Sequence, residues 1–172
     1  AETCPTWAPM GELEQHITAD IAFAAKQYLS MSNDTAWLRR EGYELIESCA
    51  DFYVSKAEMG RAARDDGKPH LLCVIPPDEY AECVDDSAYT NAVAKIALDA
   101  AVAAARRLGR APKREWAEVS RDLPVPFDPT LEFHPEYEGY TAGTPIKQAD
   151  VVLLSYPLMK QMSARVRNND LS

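Results

Sequence analysis

Ile75-Pro76-Pro77-Asp78-Glu79-Tyr80 is followed closely by Asp85-Asp86-Ser87-Ala88-Tyr89-Thr90-Asn91, where a long alanine-rich run begins. The two prolines fix φ at consecutive positions and stiffen the loop, and Asp86 or Ser87 is an N-cap residue in the right place for a helix. The run continues to Leu108, with Ala88, Ala92, Ala97, Ala100, Ala101, Ala103, Ala104 and Ala105 on several sides. A helix that is small and apolar nearly all round expects neighbours on more than one face. Arg106, Arg107 and Gly109 supply a cationic, glycine-terminated end. This reading predicts an all-α chain of packed helices with a rigid, acidic loop between them.

Working outward, apolar positions Ile17, Ile21, Ala24, Ala25 and Tyr28 recur at helical spacing and predict a helix over about Leu13 to Leu29. Asn33 or Asp34 can cap a second helix with the stripe Trp37, Leu38, Leu45, Ile46, Cys49, Phe52 and Tyr53, stopping at Gly60. Asp65-Asp66-Gly67 is a turn signal, and Leu71 to Ile75 is long enough for a short strand or one arm of a hairpin before the acidic loop. A shorter helix is predicted from Lys113 to Asp122, ended by Pro124 and Pro126. The segment from Pro124 to Pro145 should be an ordered loop, because Phe127, Phe133, Tyr137 and Tyr140 are costly to leave in water. A last helix is expected from about Ile146 to Tyr156, and Asn168 to Ser172 looks like the start of another.

At 172 residues the chain is expected to form a single domain, residues 1–172. With 26% charged and 47% hydrophobic residues it is globular rather than disordered. A net charge of −9 argues against a nucleic-acid partner, which requires a basic face. No apolar run approaches the roughly 18 residues of a membrane span, so no membrane partner is expected. The opening Ala1-Glu2-Thr3-Cys4-Pro5 is abrupt and carries no charged-then-apolar targeting pattern. Cys4, Cys49, Cys73 and Cys83 form neither a CxxC pair nor a dense disulfide framework, which favours a reducing, cytoplasmic setting.

A carboxylate on a stiff loop before a helix has a fixed direction, which a general acid needs and a solubilising charge does not. Asp78 is read as a turn or capping residue. Glu12, His16 and Asp20 stand at four-residue spacing and would share one helix face. The pattern fits an ion-paired helix start better than a metal set, since no HExxH or matched cysteines accompany it. His70 and His134 carry no independent signal. Cys73 and Cys83 bracket the acidic loop without an assignable base partner. No cofactor and no metal is expected.

Pro77-Asp78-Glu79-Tyr80 followed by Val84-Asp85-Asp86-Ser87-Ala88-Tyr89-Thr90-Asn91 resembles the acid-bearing motif of glycoside hydrolase family 65. Gly11-Glu12 with His16 to Ala22, and Phe133 to Tyr140 with Lys147 to Leu154, resemble further segments of that family in the same order. The resemblance runs from Ala1 to about Asn169, and its wording is nearest the glucosidase branch. It implies part of an (α/α)6 barrel and an inverting hydrolysis of an α-linked glucosyl disaccharide or glucosyl-galactosyl unit. Glu79 matches the general acid, which must stay protonated in a partly desolvated setting. Lys147 and Gln148 match the pair that grips the nonreducing glucose, and Thr18 matches another sugar contact.

Two positions depart from the pattern: Pro76 stands where members carry glycine or serine, and Ala81 where they carry histidine. The resemblance also puts the general base beyond residue 172, so residues 1–172 are expected to be catalytically incomplete and to self-associate through an open barrel. A phosphorylase of the same family, a non-catalytic carbohydrate-binding fragment and a helical interaction fragment are the alternatives.

Overall fold

A computed structural model describes residues 4–5, 7–141 and 143–172. The opening read from Ala1-Glu2-Thr3 lies outside them. The described residues are helical, with β-structure limited to two isolated antiparallel bridges, Val74 to Val84 and Asp128 to Phe133. The expected strand before the acidic loop is thus a single bridge that closes a hairpin around that loop. No helix among the described residues is long and apolar enough to cross a membrane. The chain forms two compact units, one from residues 1–16, 71–92 and 124–172, the other from residues 17–70 and 93–123.

Helices α1 (Met10–Leu13) and α2 (His16–Ser32) are separate. Glu12 therefore does not share a helix with His16 and Asp20, and the described residues contain no group that could hold a metal ion. The buried side of α2 is made by Ala19, Ala22 and Ala25, while Ile17 and Ile21 are each 47% exposed and Tyr28 46%. The predicted apolar stripe is thus mostly the outer face. Small side chains win the inner face because they allow close approach, and Ala19 N–H reaches the hydroxyl of fully buried Tyr53 at 3.1 Å.

Asp34 caps α3 (Thr35–Trp37) by accepting the Trp37 N–H at 2.8 Å, which holds its carboxyl below the usual range. A π-helical turn, Leu38–Gly42, then leads into α4 (Tyr43–Arg64). Gly60 is not the stop. It is buried inside α4, and the helix ends at Asp65, which adopts the left-handed conformation. A Cβ on Gly60 would fall 2.1 Å from the carbonyl oxygen of His70, so glycine there allows backbone contact.

Helix α5 (Ala88–Arg107) buries Ala92, Ala94, Ala97, Ala100, Ala101, Ala104 and Ala105 around Val93 and Leu98, as its all-round apolar surface predicts. Gly109 ends it at φ 69°. Helix α6 (Arg114–Asp122) inserts the fully buried Trp116, whose Nε1–H donates to Asp51 of α4 at 2.9 Å. Lys113 reaches Asp51 at 2.6 Å and Glu47 at 3.3 Å, and these carboxylates hold its ammonium above its ordinary range.

The C-terminal region differs most from expectation. In place of a helix from Ile146 to Tyr156 there is only α7 (Val152–Ser155), and the helix expected to begin near Asn168 is α8 (Ala164–Asn169), which ends there and is capped by Ser163. The cause of the shortened α7 is a set of carboxylates described next.

Candidate active site

The second half of the quoted motif is scaffolding. Asp86 Oδ1 accepts the Leu71 N–H at 3.1 Å and the Asn91 Nδ2–H at 2.9 Å, while Asp85 Oδ1 accepts the Cys73 N–H at 2.9 Å. Asn91 also donates to the carbonyl of Pro124 at 2.7 Å, and Ser87 Oγ accepts the Thr90 N–H at 3.3 Å as a cap of α5. A helix start thereby holds the hairpin that carries the acidic loop. Each charge-assisted bond of this kind contributes about 1.5–3 kcal/mol.

Cys73 and Cys83, the residues directly before Val74 and Val84, form a disulfide that crosses the hairpin diagonally beside the bridge those two make. The reading of scattered thiols is corrected for this pair, while Cys49, buried, and Cys4 remain free. The missed signal is a separation of 10 residues across a proline-stiffened turn.

Within the hairpin Asp78 is buried and organises both ends of the site. Its Oδ1 accepts the Tyr80 N–H at 3.1 Å, fulfilling the predicted turn duty, and the Lys147 N–H at 3.0 Å. That second bond brings Lys147 to the loop, and its Nζ lies 2.7 Å from Glu79 Oε2. Glu79 holds the ammonium above its usual range. Gln148 Nε2–H donates to the Pro77 carbonyl. Three of the four site residues predicted from sequence, Glu79, Lys147 and Gln148, are thus brought together. The setting of Glu79 is not the desolvated one expected, for its side chain is 49% exposed. Thr18 is half-buried on α2 in the other unit.

Behind Asp78 lie two carboxyls that sequence reasoning missed. Asp150 Oδ2 accepts the Asp78 N–H at 3.0 Å, and Glu136 Oε2 accepts the N–H groups of Asp150 and Val151 at 3.1 and 3.2 Å. These bonds explain the lost helix. Between residues 147 and 151, three backbone donors are taken by carboxylates instead of helical carbonyls, so α7 begins only at Val152. The signal available in the sequence was an acid in an apolar run, Ala149-Asp150-Val151-Val152.

The aromatic loop closes over this region. Tyr137 and Tyr140 meet edge to face at 5.6 Å, and burial raises the Tyr137 hydroxyl above its ordinary range. His134, also missed, is buried and pairs with Asp170, Nδ1 to Oδ2 at 2.9 Å. Phe133, His134, Glu136 and Tyr140 line a cavity of about 510 Å³ in which Glu79, Lys147 and Gln148 take no part.

Residues 2–145 match the model of the glycosyl hydrolase family 65 central catalytic domain. The chain is 42% identical over 99% of its length to a protein-glucosylgalactosylhydroxylysine glucosidase of Dictyostelium discoideum, of which it covers 24%. It is 39% identical over 91% of its length to a kojibiose hydrolase of Mucilaginibacter mallensis, covering 22% of that protein. A solved structure from the human microbiome, assigned provisionally as a kojibiose phosphorylase, superposes with a TM-score of 0.69 at 17% identity, over 86% of this chain and 27% of that one. The chain spans about a quarter of the length of these relatives, and its helices are part of an (α/α)6 barrel. The chain belongs to glycosyl hydrolase family 65 and carries a segment of that family's central catalytic domain.

Proposed function

We propose that residues 1–172 are one partial catalytic domain, the acid-bearing portion of an inverting α-glucoside hydrolase. Glu79 is the general acid that protonates the glycosidic oxygen as the bond to the anomeric carbon breaks. Water attacks the opposite face of the sugar, activated by a carboxylate supplied from outside these residues. Lys147 and Gln148 hold hydroxyls of the nonreducing glucose, since an ammonium donates and an amide does both. Thr18 is a further sugar contact. The substrate is an α-linked glucosyl disaccharide or a glucosyl-galactosyl unit, in keeping with the names of the hydrolase relatives.

One observation carries this reading. A buried carboxylate with no solvent role, Asp78, holds the backbone of both Tyr80 and Lys147 and so keeps Glu79 and Lys147 within 2.7 Å of each other across 68 residues of sequence. Surface ion pairs of long side chains are worth little by themselves. A buried framework that aims two of them at one point fits a substrate-binding site, in which Glu79 can act as the acid only once a sugar hydroxyl takes the Lys147 ammonium from it.

The test is glucose release from kojibiose, trehalose, maltose and a glucosyl-galactose, with and without phosphate, by a protein carrying this chain together with the rest of the barrel. Glu79→Gln should lower kcat by about 10²–10⁴-fold, the usual contribution of general acid catalysis. A variant as fast as wild type would remove Glu79 from the reaction. Turnover that requires phosphate would assign the phosphorylase reading instead.

A further inference from the structure

Asp78, Asp150 and Glu136 are 2%, 1% and 5% exposed, and no ion pair joins any of them to a lysine, arginine or histidine among the described residues. They are linked in series through the backbone, Glu136 to Asp150, Asp150 to Asp78, and Asp78 to Tyr80 and Lys147. Asp150 Oδ1, buried with its partner oxygen engaged, makes no hydrogen bond. The half-exposed Lys147 ammonium acts on Asp78 from the edge, but no cation pairs with Glu136 or Asp150 among the described residues. Like charges in such a low-dielectric pocket repel one another and lose their hydration, and the set sheds charge by binding protons.

We infer that Glu136 and Asp150 are positioning residues for the acidic loop, and that they hold Asp78, and through it Glu79 and Lys147, in place only while the pair carries a proton. Calling Glu79 the acid rests on the function proposed above; the relay behind it does not. Burial raises the Glu136 carboxyl to about 8, with the Asp150 charge the next cause. Burial also raises Asp150 to about 7, against the opposing hydrogen bond from the Asp78 backbone.

The other groups facing the pair leave it as the titrating element. Tyr137 feels the Asp78 and Glu136 charges and Tyr140 shares a cavity with Glu136, and the Tyr137 hydroxyl is raised, so it is neutral here. His134 shares the cavity with Glu136 but is bound to Asp170. Before α5, Asp85 meets this segment through its carbonyl, which takes the Glu138 N–H at 3.0 Å. Lys147 and Glu79 pair with each other at the exposed edge. As the second proton leaves, two adjoining anions and Asp78 repel, and the bonds at the Asp78, Tyr80 and Lys147 amides open.

The experiment is hydrogen exchange on a protein carrying this chain together with the rest of the barrel, reading protection factors of those three amides from pH 6 to pH 9, with an α4 amide as the internal reference. In the wild type their protection should fall by at least about tenfold relative to the reference, with a midpoint between about 7 and 8. The double variant Glu136→Gln/Asp150→Asn, which mimics the protonated pair, should keep its protection through pH 9. Flat protection in the wild type overturns the inference, and so does loss of protection at every pH in the double variant. Should that variant fail to fold, carboxyl-carbon titration of the wild type decides the matter. Midpoints near 8 for Glu136 and 7 for Asp150 that coincide with the loss of protection at the three amides support the relay, and midpoints below about 5, or protection that stays flat through them, refute it. Neither readout uses turnover, so failure here is separate from failure of the Glu79 assignment.

Discussion

Lys147 Nζ sits 2.7 Å from Glu79 Oε2, although the two residues are 68 positions apart in the sequence. Both side chains are about half exposed, so the pair is not held by its own attraction. It is held by Asp78, whose Oδ1 bonds the Lys147 backbone, and by the hairpin that carries Glu79.

This arrangement separates two roles kinetically. In a protein containing the whole barrel, Lys147→Met keeps the length of the side chain and removes the ammonium. If Lys147 grips a glucose hydroxyl, the loss of one charged hydrogen bond, about 1.5–3 kcal/mol, should raise KM by roughly tenfold to a hundredfold. Glu79→Gln should act on kcat instead. Steady-state kinetics of the two variants on one substrate provide the check, and an unchanged KM in Lys147→Met would leave the ion pair a surface feature.

The buried carboxyls make stability depend on pH in an unusual direction. In the unfolded chain Glu136 and Asp150 lose their protons near pH 4, whereas in the fold they keep them to about 8 and about 7. Between those limits the folded state binds more protons, so their stabilisation is complete below about pH 4 and is lost as pH rises through 8. Each group contributes at most about 1.4 kcal/mol per pH unit. The carboxyls of Asp34, Asp66 and Asp122 are lowered and act oppositely, losing their contribution as pH falls below about 4. Urea midpoints should therefore be lower at pH 8 than at pH 5, and Glu136→Gln/Asp150→Asn should flatten the difference. A midpoint that rises toward pH 8 would contradict the assignment.

Gly60 gives a test away from the site. Its position inside α4 would ordinarily favour alanine by about 1 kcal/mol through helix propensity. Here a Cβ would stand 2.1 Å from the His70 carbonyl oxygen and 2.8 Å from its carbon, which are backbone atoms and cannot swing aside. Gly60→Ala should thus destabilise, by about 1–3 kcal/mol as for other overpacked sites. A thermal or urea melt that shows stabilisation would mean the 61–70 segment shifts freely.

The sequence made the helices legible where local rules and packing agree. Asp34 as a cap, the alanine-rich α5 with its Gly109 end, and α6 stopped before Pro124 follow from capping, periodicity and proline chemistry alone. The inner face of α2 was not legible, because alanines gain burial through close approach and not through their own hydrophobicity. Gly60 was misread for a related reason: a glycine needed for contact looks like a glycine needed for a stop. The Ile146 to Tyr156 segment has a helical pattern, yet carboxylates from Asp78 and Glu136 capture its backbone donors, and no local rule carries that information. For the site, Glu79, Lys147 and Gln148 are singled out through a family resemblance. Asp150 and Glu136, which act on them through Asp78, are invisible to motif spacing because their partners are backbone groups.

The disulfide offers a way to loosen the acidic loop without touching its polar groups. Cys73 and Cys83 are separated by 10 residues and enclose Asp78, Glu79 and Tyr80. In the chain-entropy picture a closure of that length stabilises by about 2–3 kcal/mol. Two other ties survive reduction, the Val74 to Val84 bridge and the Asp85 bond to the Cys73 N–H at 2.9 Å. Reduction should therefore not unfold the hairpin but raise the exchange rate of its amides, while α4 and α6 in the other unit stay protected. Cys73→Ser/Cys83→Ser should reproduce the effect and become insensitive to reductant, which separates the Cys73–Cys83 bond from the free thiols Cys4 and Cys49. Equal protection of the loop before and after reduction would show that the Asp85, Asp86 and Asp150 bonds fix the acid alone, and that the disulfide contributes only to global stability.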